Sequence, residues 1–408
     1  MCVTLSAGVC TDNTSMMHDV MIVGGGIGGL ATALACAQQT AKVHVLEQAP
    51  QFSEVGAGIQ IGPNVVRVLE KWGLGDALKK VAAFPARLEV RNALSAQLLA
   101  VLPLQAMQQR YGAAYATIAR ADLHGVLLQA LQQFEQVQLQ LNTQLKTVVQ
   151  HPNEVQVQVC IDNARDASYT TPVLVGADGL WSKVRAAVVP ESPVRDIGHM
   201  AFRAMLPQSE LPLFLRSQVV TTWLGPQFHA VQYPVRGGEW LNVVAIVHGR
   251  AKGDVTDWDH QASAAEVRAC LANAASPLLD LLHAINQWRM WVLRDRPPMH
   301  SAAEHACGRI ALLGDAAHPM RPYLAQGAGM AIEDAATLAA VLQQPGVAVQ
   351  KGLEQFAQQR WQRNARVQKR AERNGKIFHM RGGLRVGRDW SLRLLGHRLL
   401  DIPWLYSR

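Results

Sequence analysis

"HDVMIVGGGIGGLATALACAQQTAKVHVLEQ", residues 18 to 48, is an apolar strand, a glycine turn, a small-residue helix and a second apolar strand that ends in an acid. Gly24, Gly26 and Gly29 fit the spacing GxGxxG. In that pattern the first glycine permits the tight turn, the second lets backbone approach a pyrophosphate, and the third lets helix and strand pack closely. The helix start then presents free N–H groups and its positive end to the phosphates. Glu47 closes the second strand, where a carboxylate accepts hydrogen bonds from both hydroxyls of an adenosine ribose and repels a 2′-phosphate. The unit predicts a dinucleotide cradle and leaves NAD or FAD open.

Two later stretches narrow the choice. "TPVLVGADGLWSKVR" (171 to 185) is a short apolar strand followed by Asp178 and Gly179, then a helix carrying Arg185. "GRIALLGDAAHP" (308 to 319) delivers Asp315 at the end of another apolar strand, and "MRPYLAQGAGMAIEDA" (320 to 335) continues into a helix beginning near Gly327, Ala328 and Gly329. Ligands of open parallel sheets sit outside such strand ends, and an acid there suits polyol or ribose hydroxyls; each aspartate taken singly could instead cap the following helix. Asp315 fits a sugar-like chain joining phosphate to a ring. The unpaired N–H groups of the later helix fit a ring that becomes anionic on reduction, as a flavin does and nicotinamide does not. The expected bound cofactor is FAD.

Composition sets the frame. The chain has 408 residues, 49% of them hydrophobic, enough for two or three domains with a sizeable core. No apolar run reaches the roughly 18 residues of a membrane span. The six cysteines form no CxxC pair and no metal-ligand spacing, which suits a reducing cytoplasm. Residues 1 to 17 lack Lys and Arg and an apolar centre, so they read as a disordered tail, with Met16 or Met17 as an alternative start. The net charge of +8 sits in residues 351 to 408, which hold 14 Lys and Arg against 4 Asp and Glu. Arg363, Arg366 and Arg370 fall three or four apart there, predicting a solvated helix face, with a field drawing in an anionic substrate or nicotinamide cofactor as the weaker case. Nothing points to nucleic acid.

With these three stretches in place, the chain resembles the single-component flavin aromatic hydroxylases, the family of para-hydroxybenzoate hydroxylase and salicylate hydroxylase, over most of residues 18 to 345. The resemblance implies an α/β fold: a Rossmann-like FAD-binding domain (18–193 and 296–345), an inserted antiparallel-sheet substrate domain (194–295) and a C-terminal helical segment (346–408). Alternating strands over 196 to 248 agree with that sheet. Arg120, in "IARADLHGVLLQAL", matches the family arginine that reaches FAD from a helix start. Within the family, "VGAGIQIGPN" (55 to 64), "FHAVQYPVRGGE" (228 to 239) and "HPMRPYLAQGAG" (318 to 329) look most like the 3-hydroxybenzoate 6-hydroxylases. The 6-hydroxynicotinate enzymes usually carry histidines where this chain has Gln60 and Tyr323, a departure from that substrate.

His229, Val231 and Tyr233 share one face of a strand, since side chains repeat every two residues. The resemblance places a histidine and a tyrosine here against a substrate phenol. It implies that His229 takes the phenolic proton, Tyr233 holds that oxygen, and Gln326 is a third polar contact unless it caps the next helix. Pro319 and the 55–64 loop line the flavin ring, with Gln60 and Tyr323 at the substrate pocket. The resemblance further implies that transient NADH, or NADPH, reduces FAD and that dioxygen then forms a C4a-hydroperoxide that attacks the activated aromatic ring. Arg203 and Arg236 are candidates to hold a substrate carboxylate. The alternatives are an epoxidase or hydroxylase of a larger polycyclic or quinone-precursor substrate, and a non-catalytic flavin redox sensor. Monomer and homodimer both remain open.

Overall fold

The structure, a computed structural model, describes residues 19–52, 57–189, 193–249 and 260–407. The expected tail at 1–17 and residues 55–56 of the second glycine loop lie outside them. Val20–Val23, Val43–Leu46, Leu174–Gly176 and Ile310–Leu312 are buried at every position. Strands covered on both faces need apolar side chains on both, which is why these read as unbroken hydrophobic runs. They form a six-stranded sheet in the order 306–307, 310–312, 174–176, 20–23, 43–46, 137–140. All neighbours are parallel except the first pair.

Helix Ile27–Ala37 carries the chain from Val20–Val23 to Val43–Leu46 on one side, while Leu174–Gly176 arrives on the other. The order therefore diverges at the first strand, and a crevice opens beyond its carboxyl end. The helix is buried along nearly its whole length and packs on helix Gly327–Leu342.

An eight-stranded sheet forms the second layer, ordered 260–263, 287–295, 195–207, 240–248, 228–235, 220–225, 87–92, 98–103. Every pairing is antiparallel except that of 220–225 with 87–92. The sheet is thus not confined to 194–295: Arg87–Asn92 and Leu98–Pro103, from the stretch expected to belong to the FAD-binding domain, extend it. A strand pair can complete a sheet edge from any distance in sequence, and nothing in its own pattern names the sheet. Helices Ala264–Cys270 and Ser276–Ala284 cover one face through Val267, Leu271, Leu278 and Leu282, which pack on Phe202, Phe228, Leu241 and Val243. The opposite face turns toward the nucleotide crevice.

After residue 346 the chain is helical, with Val349–Phe378 and Gly382–Leu395 as the long elements. The basic face of the first is only partly solvated: Arg366 is exposed, while Arg363 and Arg370 are half-buried. Arg363 bonds Glu333 at 2.7 Å and the carbonyls of Trp404 and Leu405, and Arg366 stacks on Trp404 at 3.9 Å. Arg363 and Arg366 thus meet the chain's last turn, a contact that composition does not reveal. Among the described residues no helix is long and apolar enough to cross a membrane.

Candidate functional site

Three strand ends meet at the crevice. Ala177 N–H donates to Val23 at 2.8 Å, and Leu313 N–H to Gly176 at 3.0 Å, so the three motif loops are stitched side by side. Gly24 has φ +107°, and a Cβ there would lie 2.4 Å from the Ala177 carbonyl; at Gly29 one would lie 1.8 Å from the Gly24 carbonyl. Both must be glycine for the loops to close this tightly. Arg185, buried, donates to the carbonyls of Ala316 and Ala317 at 3.0 and 2.7 Å, locking the second motif to the third.

The residues fit FAD. Gly26 and Gly327 have no atom within 4 Å of where a Cβ would stand, so both helix starts face open space. Asp315 is exposed while Ala311–Gly314 and Ala316–Pro319 around it are buried, leaving its carboxylate on the crevice side. Glu47 is oriented by two backbone donors, Gly25 N at 2.6 Å and Ala49 N at 2.8 Å. Arg120 starts its helix next to the 57–61 strand, its N–H donating to Ala57 at 2.7 Å. Asp178 is different. Its carboxylate accepts from Ser182 Oγ at 2.5 Å and from the N–H groups of Lys183 and Val184, so it caps the turn that Gly179 opens, the alternative open at the sequence level. Burial raises its pKa against those hydrogen bonds. Gln326 does not cap helix Gly327–Leu342; its Oε1 accepts from Asn64 at 3.0 Å.

On the inner face of the eight-stranded sheet the strand register arranges side chains in rows. His199 stands opposite His248; Ala201, Ile246 and His229 form the next row; then Arg203, Val244 and Val231; then Met205, Asn242 and Tyr233. Arg203, Val244 and Val231 are half-buried, whereas Ala201, Ile246, His229, Asn242 and Tyr233 are buried. The third row is therefore an accessible apolar strip with a guanidinium at one end and walls on both sides. Arg203 is fixed 3.4 Å over the Trp291 ring, and its Nε has no hydrogen-bond partner among the described residues. Burial pulls its pKa down to about 9. Arg236 instead pairs with Asp122 at 3.0 Å and stacks on Trp240.

Tyr233 and Asn242 press on Gly58, whose N–H donates to Asn242 Oδ1 at 2.6 Å, bringing the 57–61 strand over the sheet. Gln60 on that strand accepts from the Tyr115 hydroxyl at 2.7 Å. Pro319 is buried, its carbonyl accepting from Gln368 at 3.2 Å. Tyr323 is buried with its ring centroid 5.3 Å from that of His229.

Sequence reasoning missed what surrounds His229. Its Nδ1 shares a hydrogen bond with His379 Nε2 at 2.8 Å, and His379 Nδ1 shares another with His248 Nε2 at 2.9 Å. His199 Nδ1 bonds the Tyr323 hydroxyl. Burial, then His199, holds His229 down to about 3; burial, then His248 and Arg321, holds His199 down to about 4. His379, at the end of the long helix, lies further down for the same reasons. All three are neutral imidazoles at neutral pH. The alternation of 196–248 shows that His199, His229 and His248 share one face, but register decides their rows, and His379 comes from another element.

The family model described as an FAD binding domain matches residues 17–371. The 3-hydroxybenzoate 6-hydroxylase of Polaromonas naphthalenivorans (strain CJ2) is 34% identical over 95% of this chain and 95% of its own length. The 3-hydroxybenzoate 6-hydroxylase 1 of Aquipseudomonas alcaligenes is 35% identical over 96% of this chain and 98% of its own. A salicylate hydroxylase in a substrate complex superposes with a TM-score of 0.79 at 25% identity, over 96% of this chain and 95% of that one. The likeness runs along nearly the whole length of these relatives, and the chain belongs to the FAD-dependent aromatic hydroxylases.

Proposed function

We propose that the chain hydroxylates a phenolic aromatic acid, 3-hydroxybenzoate- or salicylate-like, with NADH preferred over NADPH. The observation that carries this is the half-buried row Arg203, Val244, Val231, bordered by buried His229 and Tyr233. Adjacent strands lie about 4.8 Å apart, so Arg203 and the His229 strand are about 10 Å apart at the backbone. The face of one aromatic ring would lie on the two valines between them. A half-buried guanidinium whose buried Nε has no partner among the described residues attracts a carboxylate, and a bidentate pair would fix the ring's orientation.

The phenol end then meets His229 and Tyr233. His229 can accept the phenolic proton at Nε2 while Nδ1 stays bonded to His379, and the Tyr233 hydroxyl holds the oxygen. Asp315, Glu47 and the N–H groups of Gly26 and of Gly327 to Gly329 would hold FAD; Asp178 contributes by shaping its loop and Gln326 by bracing Asn64. When bound, FAD supplies the activated oxygen from dioxygen and takes its electrons from the nicotinamide. Withdrawing a phenolic proton raises electron density on the ring, and general-base help of this kind is worth about 10²–10⁴ in rate. Burial of His229 and Tyr233 keeps bulk water off the reacting edge.

The test is NADH oxidation across a panel of hydroxybenzoates, with products identified by mass. Stimulation by 3-hydroxybenzoate or salicylate with one oxygen added per turnover is the expected result; stimulation by polycyclic phenols alone overturns it. His229→Ala should stay yellow with FAD and consume NADH while making little hydroxylated product, and wild-type coupling in it removes His229 from the mechanism. Arg203→Gln should raise KM for the acid on the order of 100-fold, as loss of a buried charge partner costs about 2–5 kcal/mol, with little change for a substrate lacking the carboxylate.

A further inference from the structure

We propose that His199, His248 and His379 form a binding site for a divalent transition metal of the zinc class, at the solvent side of the substrate pocket. One ring nitrogen from each lies within 4.8 Å of the others. Their ring centroids are 4.2, 4.9 and 5.0 Å apart. Tetrahedral Zn–N bonds of about 2.0–2.1 Å separate ligand nitrogens by about 3.4 Å. His248 Nε2 and His379 Nδ1 are 2.9 Å apart, so a metal opens that contact by about half an ångström. His248 is exposed and can move that far, while His199 and His379 are buried.

The far nitrogens of the two buried ligands are already held, His199 Nδ1 by the Tyr323 hydroxyl and His379 Nε2 by His229. Such outer hydrogen bonds fix the tautomer and aim the inner nitrogen at the metal. Three imidazoles without a carboxylate favour zinc, copper, nickel or cobalt over magnesium or calcium. The exposed side leaves a fourth position for water. Two nearby arginines are neutralised, Arg321 by Asp295 and Arg388 by Asp389, each at 2.7 Å; Arg381 is exposed to solvent.

Occupancy has a consequence that rests on the His229 reading above. Metal on His379 Nδ1 leaves the ring proton on Nε2, which then donates to His229 Nδ1. A neutral His229 so bonded carries its own proton on Nε2, the nitrogen that would receive the phenolic proton. Metal binding therefore inhibits hydroxylation without displacing substrate or FAD.

The experiment uses chelator-treated, FAD-loaded enzyme. Zn²⁺ is titrated against a chromophoric chelator and by calorimetry, and Cu²⁺ is added to look for nitrogen couplings by electron paramagnetic resonance. The expected result is one Zn²⁺ per chain, nitrogen ligation of Cu²⁺, and affinity weakened on the order of 100-fold or more in His248→Ala. That variant should keep its metal-free hydroxylation rate. Failure to bind one equivalent, or equal affinity in His248→Ala, overturns the site. Stoichiometric binding that leaves product per NADH unchanged keeps the site and overturns the role given to His229.

Discussion

Two groups of three potential ligands lie along helix Val349–Phe378, His305 with His318 and Asp334 near its middle and His199 with His248 and His379 at its end. The first is sealed and already holds a cation of its own. Asp334 accepts from Arg360 Nε at 2.7 Å, from His318 Nε2 at 2.5 Å and from Asn364 at 3.0 Å, while Arg360 also reaches Glu333 at 2.8 Å. Burial alone would raise the Asp334 pKa, yet His318 and Arg360 hold it well below the carboxylate range. The second group has no carboxylate and no internal cation, and one member is open to solvent. Similar ligand geometry thus leads to a structural clamp in one place and a solvent-facing group of hydrogen-bonded imidazoles in the other. What separates them is whether a guanidinium has been built into the cluster.

The largest expected effect comes from removing that guanidinium. Arg360→Met fills similar volume but leaves Asp334 buried without its guanidinium partner and strips one partner from Glu333, which keeps Arg363 at 2.7 Å. Breaking one side of a buried ion pair costs about 3–5 kcal/mol. Urea denaturation of the FAD-loaded variant should show that loss, whereas His248→Ala, at an exposed position, should stay within about 0.5 kcal/mol of wild type. A loss under about 1 kcal/mol for Arg360→Met erases the distinction between the clusters.

The contrast also marks what the sequence could show. The strand ends and Gly24, Gly26 and Gly29 were readable because a buried parallel strand and a tight phosphate turn each leave a local pattern. Asp178 was not separable into ligand or cap, since both uses place an aspartate one residue before a glycine at a strand end. Gln326, an expected substrate contact, accepts from Asn64, a partner 262 residues away that its own stretch of sequence does not reveal. The Arg363, Arg366 and Arg370 spacing suggested a solvated face because amphipathic periodicity reports which residues share a side, not what that side touches. The row that joins Arg203 to Val231 depends on strand register across non-consecutive strands, a property of hydrogen bonding that no single strand encodes.

Acid separates the two clusters more gently. An unfolded histidine titrates near pH 6.5, and His229 in the fold is held down to about 3. Above pH 6.5 neither state is protonated and the histidine contributes no pH dependence. Between that value and about 3 the unfolded chain takes up a proton that the fold refuses, so stability falls as pH falls, by about 1.4 kcal/mol per unit for each such histidine. Asp334 behaves in a lower window: its folded pKa is depressed beneath 3.8, so its contribution is whole above that value and is lost only as pH drops below it. Urea midpoints at pH 6.5 and 5.5 should therefore decline in the wild type chiefly through the histidines, with the depressed carboxylates Glu89 and Glu333 joining near pH 4.5. His229→Gln should decline less steeply by about 1.4 kcal/mol per unit, and a slope unchanged by that substitution would mean that His229 takes up its proton as readily in the fold as in the unfolded chain, which overturns the burial that holds its pKa down.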